Sequence, residues 1–282
     1  MNVNLRPSPI AGLWYEGNAD FLAHNVDHYM DDAQLPGLNG DVIAVIAPHA
    51  GHRYSGPVAG YSFAALRGRD PELVAVLSPF HNYHSAPFLT SAHSGYATPL
   101  GPIQIDHTIV DALDAELKST LNLNLTRIAN DPEHSLEIEL PFLQRALKSN
   151  WNLLPVMSRA HDPKLARGLG LALAKILKGK NAILVASTDL SHFYDQTTAD
   201  TLDHNMLSAI ESFNPEAVLE TEATGKGFAC GLGALTSAMW AARELGADKV
   251  QILHHATSGD VTGEYSEVVG YGAAAILKSK GS

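Results

Sequence analysis

The chain has 282 residues, of which 45% are hydrophobic and 17% are charged, and its net charge is −11 at pH 7. This composition predicts a compact folded chain and argues against nucleic acid or an anionic membrane as the main partner. No apolar run reaches the roughly 18 residues that a membrane span requires, and the N-terminal sequence does not resemble a signal peptide. The single cysteine, Cys230, excludes an intrachain disulfide, so we expect a reducing, cytoplasmic environment.

The N-terminal segment, residues 1–17, carries two prolines followed by the aromatic pair Trp14 and Tyr15. This pattern is typical of an irregular segment that its aromatic side chains dock onto the core, and the alternative is that Trp14 forms a pocket wall. Asn18 then offers a suitable N-cap for a helix that runs to about Asp32.

A buried strand runs directly into a polar loop in DVIAVIAPHAGHRYSG, residues 41–56. Its first half is a short apolar run rich in β-branched residues, which is typical of a strand buried on both faces. His49 and His52 follow this strand, and Pro57 is expected to begin a helix over residues 57–70. In open α/β sheets, ligands bind where such strands end.

Strand and helix patterns continue to alternate along the rest of the chain. Strands are predicted at 73–78, 87–91, 153–157, 182–186, 250–254 and 266–277. Helices are predicted at 106–119, 135–149, 162–178, from about 197, at 214–223 and up to about 245. Pro141 is expected to kink the helix over 135–149. The alternation predicts one α/β domain over 1–282, with a mainly parallel or mixed central sheet flanked by helices.

Three of the predicted buried strands end in loops that carry histidines. These loops contain His49 with His52, His81 with His84, and Asp189 with His192. Because parallel strands end at the same edge of a sheet, we expect these side chains to converge. Imidazole binds Fe, Cu and Zn, and two histidines with one anionic ligand form a facial site with open positions. The candidates for the anionic ligand are Asp189, Glu133 and Cys230.

Cys230 lies in the glycine-rich bend GFACGLG, residues 227–233, where the backbone can approach closely and the sulfur could be exposed. A lone cysteine is more often inert core filling. As a ligand, its thiolate would favour Cu(I) or Zn as well as Fe(II), and it would be oxidisable. No phosphate loop, dinucleotide fingerprint, HExxH or GxSxG motif is present.

Several separated motifs together resemble the Memo family, whose bacterial and archaeal members are often called protein B of the AmmeMemoRadiSam system. The motifs are PHAGHRYSG (48–56), EHSLEIELPF (133–142), STDLSHFY (187–194), CG (230–231) and GEYSEVVGYGAAA (263–275). The family is similar in fold to the class III extradiol dioxygenases, and DLSH resembles their GLSH stretch. The resemblance implies that His49 and His81 bind a metal, that His192 is the acid–base group and that Cys230 replaces the dioxygenase glutamate.

The sequence departs from the family pattern at two places. The usual GPSHH is replaced here by Ser78-Pro79-Phe80-His81-Asn82, which keeps the first histidine and loses the second. Asp195 stands where a glycine often follows HY. We therefore expect the substrate pocket to differ from that of the family, and the family's substrate preferences are not assumed for this chain.

The prediction that follows is a non-haem metal protein, with Fe(II) favoured and Cu or Zn as alternatives. It would open catechol-type aromatic substrates by extradiol cleavage with O₂. His192 would act as base and then acid, and Asp189 would orient a histidine. His49, His81 and Cys230 would hold the metal. The residues expected to contact the substrate are Trp14, Arg53, Tyr54, Phe80 and His134.

Two other functions stay open. The same pocket could bind a phenolic or peptide ligand without turnover, since some relatives are described as signalling adaptors. A zinc hydrolase that uses metal-bound water is the third alternative, although no other hydrolase signature supports it. The chain could also form a homo-oligomer.

Overall fold

Strands and helices alternate along the chain in the computed structural model, which describes residues 4–148, 150–160 and 162–280. The strands are β1 Leu5–Arg6, β2 Asp41–Ala47, β3 Leu73–Pro79, β4 Phe88–Ser91, β5 Gly95–Thr98, β6 Gly101–Gln104, β7 Thr126–Ile128, β8 Asn152–Ser158, β9 Ala182–Ser187, β10 His192–Tyr194, β11 Lys249–Thr257 and β12 Val268–Lys278. The α-helices are α1 Ala19–Asp32, α2 His52–Ala64, α3 His107–Leu121, α4 Leu140–Ala146, α5 Pro163–Leu177, α6 Gln196–Glu211, α7 Pro215–Ala223, α8 Leu232–Glu244 and α9 Ser258–Thr262.

A mixed sheet forms the centre of the molecule. Within the part of the chain that the structure describes it has nine strands, in the order β10-β12-β2-β9-β3-β8-β4-β7, with β11 also paired to β12. Strands β2, β9, β3 and β8 are parallel, whereas β12 is antiparallel to β2 and β11. A smaller sheet has the order β1-β5-β6. The predicted α/β fold with a mixed central sheet is confirmed.

The parallel strands at the centre are covered by helices. β3 is buried at every position, as a strand with both faces covered should be. Helices α2 and α8 pack on the sheet, and they pack in turn against α1 and α5. Asn18 caps α1 through its side chain, as its position predicts. None of the helices in the described ranges has the length and apolar character needed to cross a membrane.

The parallel pairing brings three strand ends together. Ala47 at the end of β2 lies opposite Ser187 at the end of β9. Leu77, near the end of β3, lies opposite Ala186, which is also on β9. The loops that follow β2, β3 and β9 therefore leave the sheet at one edge, which is where the sequence places its histidines.

The predicted start of the second helix is wrong. α2 begins at His52 and contains Pro57 in its interior. The N–H groups of Tyr54 and Ser55 bond to the carbonyl of Gly51, so the helical turns begin well before the proline. A proline is favourable at a helix start, but a helix can also contain one further along at the cost of one backbone hydrogen bond. The position of Pro57 alone therefore does not identify where the helix begins.

The predicted kink at Pro141 is also wrong. The segment is a 3₁₀ turn at Glu137–Glu139 followed by α4, and Pro141 lies in the first turn of that helix. A proline is favourable there because the first N–H groups of a helix have no acceptor within it. α4 ends at Ala146, and Ser149, the end of the predicted helix, lies outside the described residues.

We expect Gly60→Ala to destabilise the fold, because Gly60 lets α1 and α2 cross closely. A Cβ atom at this position would lie 2.2 Å from the carbonyl oxygen of Tyr29. Such overpacking should lower the free energy of unfolding by about 1–3 kcal/mol, measured by denaturant titration. Gly37→Ala is the matched control, because a Cβ there meets no atom within 4 Å. Equal stability of the two variants would contradict the close crossing.

Candidate metal site

Three histidine side chains meet at the edge of the sheet where the parallel strands end. They are His49 after β2, His81 after β3, and His134 before the 3₁₀ turn. One ring nitrogen of each lies within 4.8 Å of the others, and such a group could hold a metal ion. The ring centroids are 5.3 Å apart for His49 and His81, 4.8 Å for His81 and His134, and 5.5 Å for His49 and His134.

Ser187 fixes the tautomer of His49. Its hydroxyl oxygen lies 2.9 Å from His49 Nδ1 and 2.7 Å from both the Ser135 carbonyl and Glu139 Oε1. The hydroxyl proton goes to one of these oxygens, so the Ser187 oxygen accepts the N–H of His49 Nδ1. Burial lowers the pKa of His49 well below its ordinary value. The ring is therefore neutral, and its Nε2 carries the lone pair, which is the form that binds metals. That nitrogen lies against the Cys230 sulfur.

The buried carboxylate of Glu133 links the other two histidines. Its Oε1 lies 2.9 Å from His81 Nδ1 and 3.3 Å from His134 Nδ1, and it accepts the N–H groups of His134 and Ser135. Burial alone would raise the pKa of Glu133, but the hydrogen bonds and charge of His81 hold it well below the ordinary value. Burial alone would lower the pKa of His81, but the hydrogen bond and charge of Glu133 raise it. The carboxylate thus fixes His81 with its Nδ1 as donor, and a metal at Nε2 would displace the proton that the charged ring carries there.

The Cys230 sulfur lies beside His49. Its Sγ is 3.1 Å from His49 Nε2 and accepts the backbone N–H of Asp189 at 3.2 Å. Burial raises the pKa of the thiol far above its ordinary value, so the sulfur is protonated unless a cation stabilises the thiolate. Of the predicted ligands, His49 and His81 belong to the three-histidine group, whereas Cys230 stands outside it and contacts His49. His134, predicted to contact substrate, is the third member of the group and competes with Cys230 for the role of third ligand.

His192 and Asp189 lie in the loop that follows β9. The Nδ1 of His192 donates to the Leu190 carbonyl at 2.9 Å, and burial lowers the pKa of the ring. Its Nε2 is consequently free to accept a proton. Asp189 Oδ1 accepts the backbone N–H of His49 at 2.7 Å, and burial raises its pKa to about 7. Asp189 therefore holds the backbone of a histidine, whereas Ser187 orients the ring.

Most of the predicted substrate residues line an open cleft of about 630 Å³, called the wide cleft below. Trp14, Arg53 and Tyr54 form part of its wall, together with Phe193, the neighbour of His192. The Trp14 ring lies 4.1 Å from the ring of His134, so the wide cleft adjoins the histidine group. Exposed aromatic side chains line it, with Phe193 70% accessible to solvent, together with the exposed charged residues Arg53, Glu264 and Glu267.

Phe80 lines a different space. It forms part of the wall of a cavity of about 190 Å³, called the small cavity below. His81 and Cys230 form part of the same wall, as do Ser158 and Arg159. The predicted substrate residues are therefore divided between two spaces beside the candidate ligands.

Two histidines of the predicted strand-end loops do not join the group. His52 is buried in the first turn of α2, with its Nε2 3.0 Å from the Ile138 carbonyl, and burial lowers its pKa to about 4. The Nδ1 of His84 accepts the N–H of Ala86 within its own loop. His52 is excluded because α2 begins at this residue, and the helix directs its side chain away from the sheet edge.

The sequence did not single out Ser187, Glu139 or Arg159 as part of this site. Ser187 ends a buried strand next to Asp189, and that position was an available signal. Glu139 lies in an apolar helical run with nothing to distinguish it from a surface residue. Its pKa is raised well above the ordinary value because it is fully buried.

Comparisons with known proteins support a single family. Residues 6–275 match the family described as Memo-like protein. A MEMO1 family protein of Nitrosopumilus maritimus is 33% identical over 95% of this chain and 98% of its own length. A MEMO1 family protein of Methanopyrus kandleri is 32% identical over 95% of this chain and 97% of its own length. The crystal structure of an uncharacterized Escherichia coli K12 protein is similar in fold alone. Its TM-score is 0.50 and its identity 13%, and the match covers 83% of this chain and 99% of that chain.

Glu133→Gln should weaken metal binding by about 10–100-fold, because an amide cannot replace the carboxylate that accepts from His81 and adjoins His134. Affinity for Zn²⁺ or Fe(II) is measured by competition with a chelator. Glu267→Gln, an exposed carboxylate of the wide cleft, is the matched control and should leave affinity unchanged. Wild-type affinity in Glu133→Gln would show that the carboxylate does not support the ligands.

Proposed function

The chain belongs to the Memo-like protein family, and we propose that it is a non-haem metal protein that opens catechol-type rings with O₂. The observation that carries the proposal is the convergence of His49, His81 and His134, with His192 close enough to act electrostatically on His49. Fe(II) is the metal that this combination favours.

The residues present fit a bound metal. His49 and His81 are oriented by Ser187 and Glu133 before any ion arrives, and such outer partners are typical of metal-binding histidines. Either Cys230 or His134 would supply a third ligand. When bound, Fe(II) would supply positive charge for a deprotonated catechol and would activate O₂.

The proton of the substrate goes to His192 in this proposal. Its Nδ1–H is held by the Leu190 carbonyl, so only Nε2 can accept the proton of a catechol hydroxyl. The lowered pKa keeps the ring neutral at pH 7, which suits a base that later returns the proton as an acid. The anchored tautomer means that no ring rotation is required between these steps.

The wide cleft supplies the approach to the site. The Trp14 ring packs at a tilt against His134, and Tyr54 lines the same wall, so an aromatic ligand entering the cleft meets aromatic surface. Asp189 keeps the backbone of His49 in place while the cleft fills or empties. These contacts position the substrate and leave proton transfer to His192.

His192→Ala should bind iron normally and lower kcat by about 10²–10⁴-fold, since general acid–base help is typically worth that factor. The measurements are iron content after anaerobic loading, O₂ uptake and ring-cleavage product with a catechol panel. His84→Ala is the matched control, because His84 lies in a neighbouring loop but outside the histidine group. If the iron-loaded wild type consumes no O₂ with any catechol, the pocket is a ligand-binding module without turnover.

Cys230→Ser should lower metal affinity more than His134→Gln, because a thiolate contributes charge as well as a donor atom. Substitution with Co(II) adds a spectroscopic test, since a coordinated thiolate gives a near-ultraviolet charge-transfer band. That band should be present in the wild type and in His134→Gln but absent in Cys230→Ser. The opposite order of affinities, without the band, would identify a three-histidine site.

A further inference from the structure

We propose that the small cavity beside His81 and Cys230 binds a single-ring aromatic carboxylate, with Arg159 as the group that recognises the carboxylate. As a statement about the substrate, this rests on the proposed function and narrows it to catechols that carry a carboxylate. As a binding site, it stands on the cavity alone and does not require turnover.

The size of the small cavity matches one aromatic ring. Its volume is about 190 Å³, and an apolar cavity of about 150 Å³ is known to hold benzene. Phe80, which is 8% exposed, supplies an aromatic wall, and Gly231 and Gly233 add wall without side chains. A ring can pack against Phe80 in an offset or edge-on arrangement. Larger ring systems suit the wide cleft instead.

Arg159 is held in place, and among the described residues its side chain donates one hydrogen bond. Its Nη1 donates to the His84 carbonyl at 2.9 Å, its guanidinium lies 5.4 Å from the centre of the Tyr83 ring, and its backbone N–H donates to the Pro87 carbonyl. No carboxylate in the described part of the chain forms an ion pair with it, although the protein carries a net charge of −11. A guanidinium has five N–H donors, arranged to grip a carboxylate with two parallel hydrogen bonds.

Ser158 adds to the same wall a second donor that has no acceptor within the described ranges. Its side chain is 6% exposed, and its oxygen accepts the N–H of Ala160 at 3.1 Å. Among the residues that the structure describes, nothing accepts its hydroxyl proton. A buried donor without an acceptor is costly, and a bound carboxylate would remove that cost.

The positions of these groups orient the occupant. Arg159 and Ser158 would hold the carboxylate, and the ring would lie along Phe80. His81 and Cys230, two of the candidate metal ligands, line the same space, so ring hydroxyls on the far side from the carboxylate would face the metal site. A 3,4-dihydroxybenzoate has this arrangement.

The test is calorimetric titration of the full-length chain with benzoate and with benzamide, which has nearly the same shape but no charge. Arg159→Gln should weaken benzoate binding by about 10–100-fold, as expected for loss of a charge-assisted hydrogen-bonded pair, and leave benzamide unchanged. Arg159→Lys should restore part of the affinity. Arg167→Gln removes an exposed arginine of α5 that lines neither space and should have no effect on either ligand. Melting temperatures confirm that each variant is folded.

Wild-type benzoate affinity in Arg159→Gln, an equal loss of affinity in Arg167→Gln, or no benzoate binding by the wild type would each overturn the proposal. Turnover is measured separately on the iron-loaded protein. Arg159→Gln should lower kcat/KM for 3,4-dihydroxybenzoate and not for 4-methylcatechol. Benzoate binding through Arg159 with no turnover of any catechol would refute the proposed function and leave the binding pocket standing, so the two failures are distinguishable.

Discussion

The candidate site depends on the parallel pairing of β2, β9 and β3. Hydrogen bonding between these strands places Ala47 opposite Ser187 although the two are far apart in sequence. The same pairing fixes where β3 ends relative to β9. Because the strands are buried on both faces, their register cannot slip without moving apolar side chains, and the loops at their ends inherit that rigidity. The histidines therefore meet because the core is packed, before any ligand contributes.

A network of buried charges holds the loop that carries Glu133 and His134. Arg6 donates to Asp131 and Glu137 and to the carbonyl of Glu133, so the N-terminal segment is tied to the loop that carries Glu133 and His134. Isolated buried charges are unfavourable, and here each one finds a partner. The network explains how a loop outside the parallel strands can present its side chains in a fixed place. It also gives the aromatic N-terminal segment a role in the site beyond docking.

The two spaces beside the ligands differ in the chemistry they offer. The wide cleft is open, with exposed aromatic side chains such as Trp14 and Tyr54 in its wall. The small cavity is about the size of one ring and carries Arg159, whose side chain makes one hydrogen bond among the described residues, and Ser158, whose hydroxyl proton has no acceptor among them. A large open space lets many ligands enter, whereas a small cavity with directed hydrogen-bond donors selects ligands by size and by the acceptors they carry. The separation of Phe80 from the other predicted substrate residues is the structural basis of this difference.

The sequence by itself determined the buried strands, most of the helices and the edge at which His49 and His81 would lie, because apolar periodicity and capping are local properties. It also predicted convergence, since parallel strands share an edge. Only the tertiary structure decided that His134 joins these two, that Glu133 supports two histidines, and that Ser187 sets a tautomer. Those outcomes depend on the packing of side chains from segments remote in sequence, and no local pattern records which buried polar atoms will become neighbours.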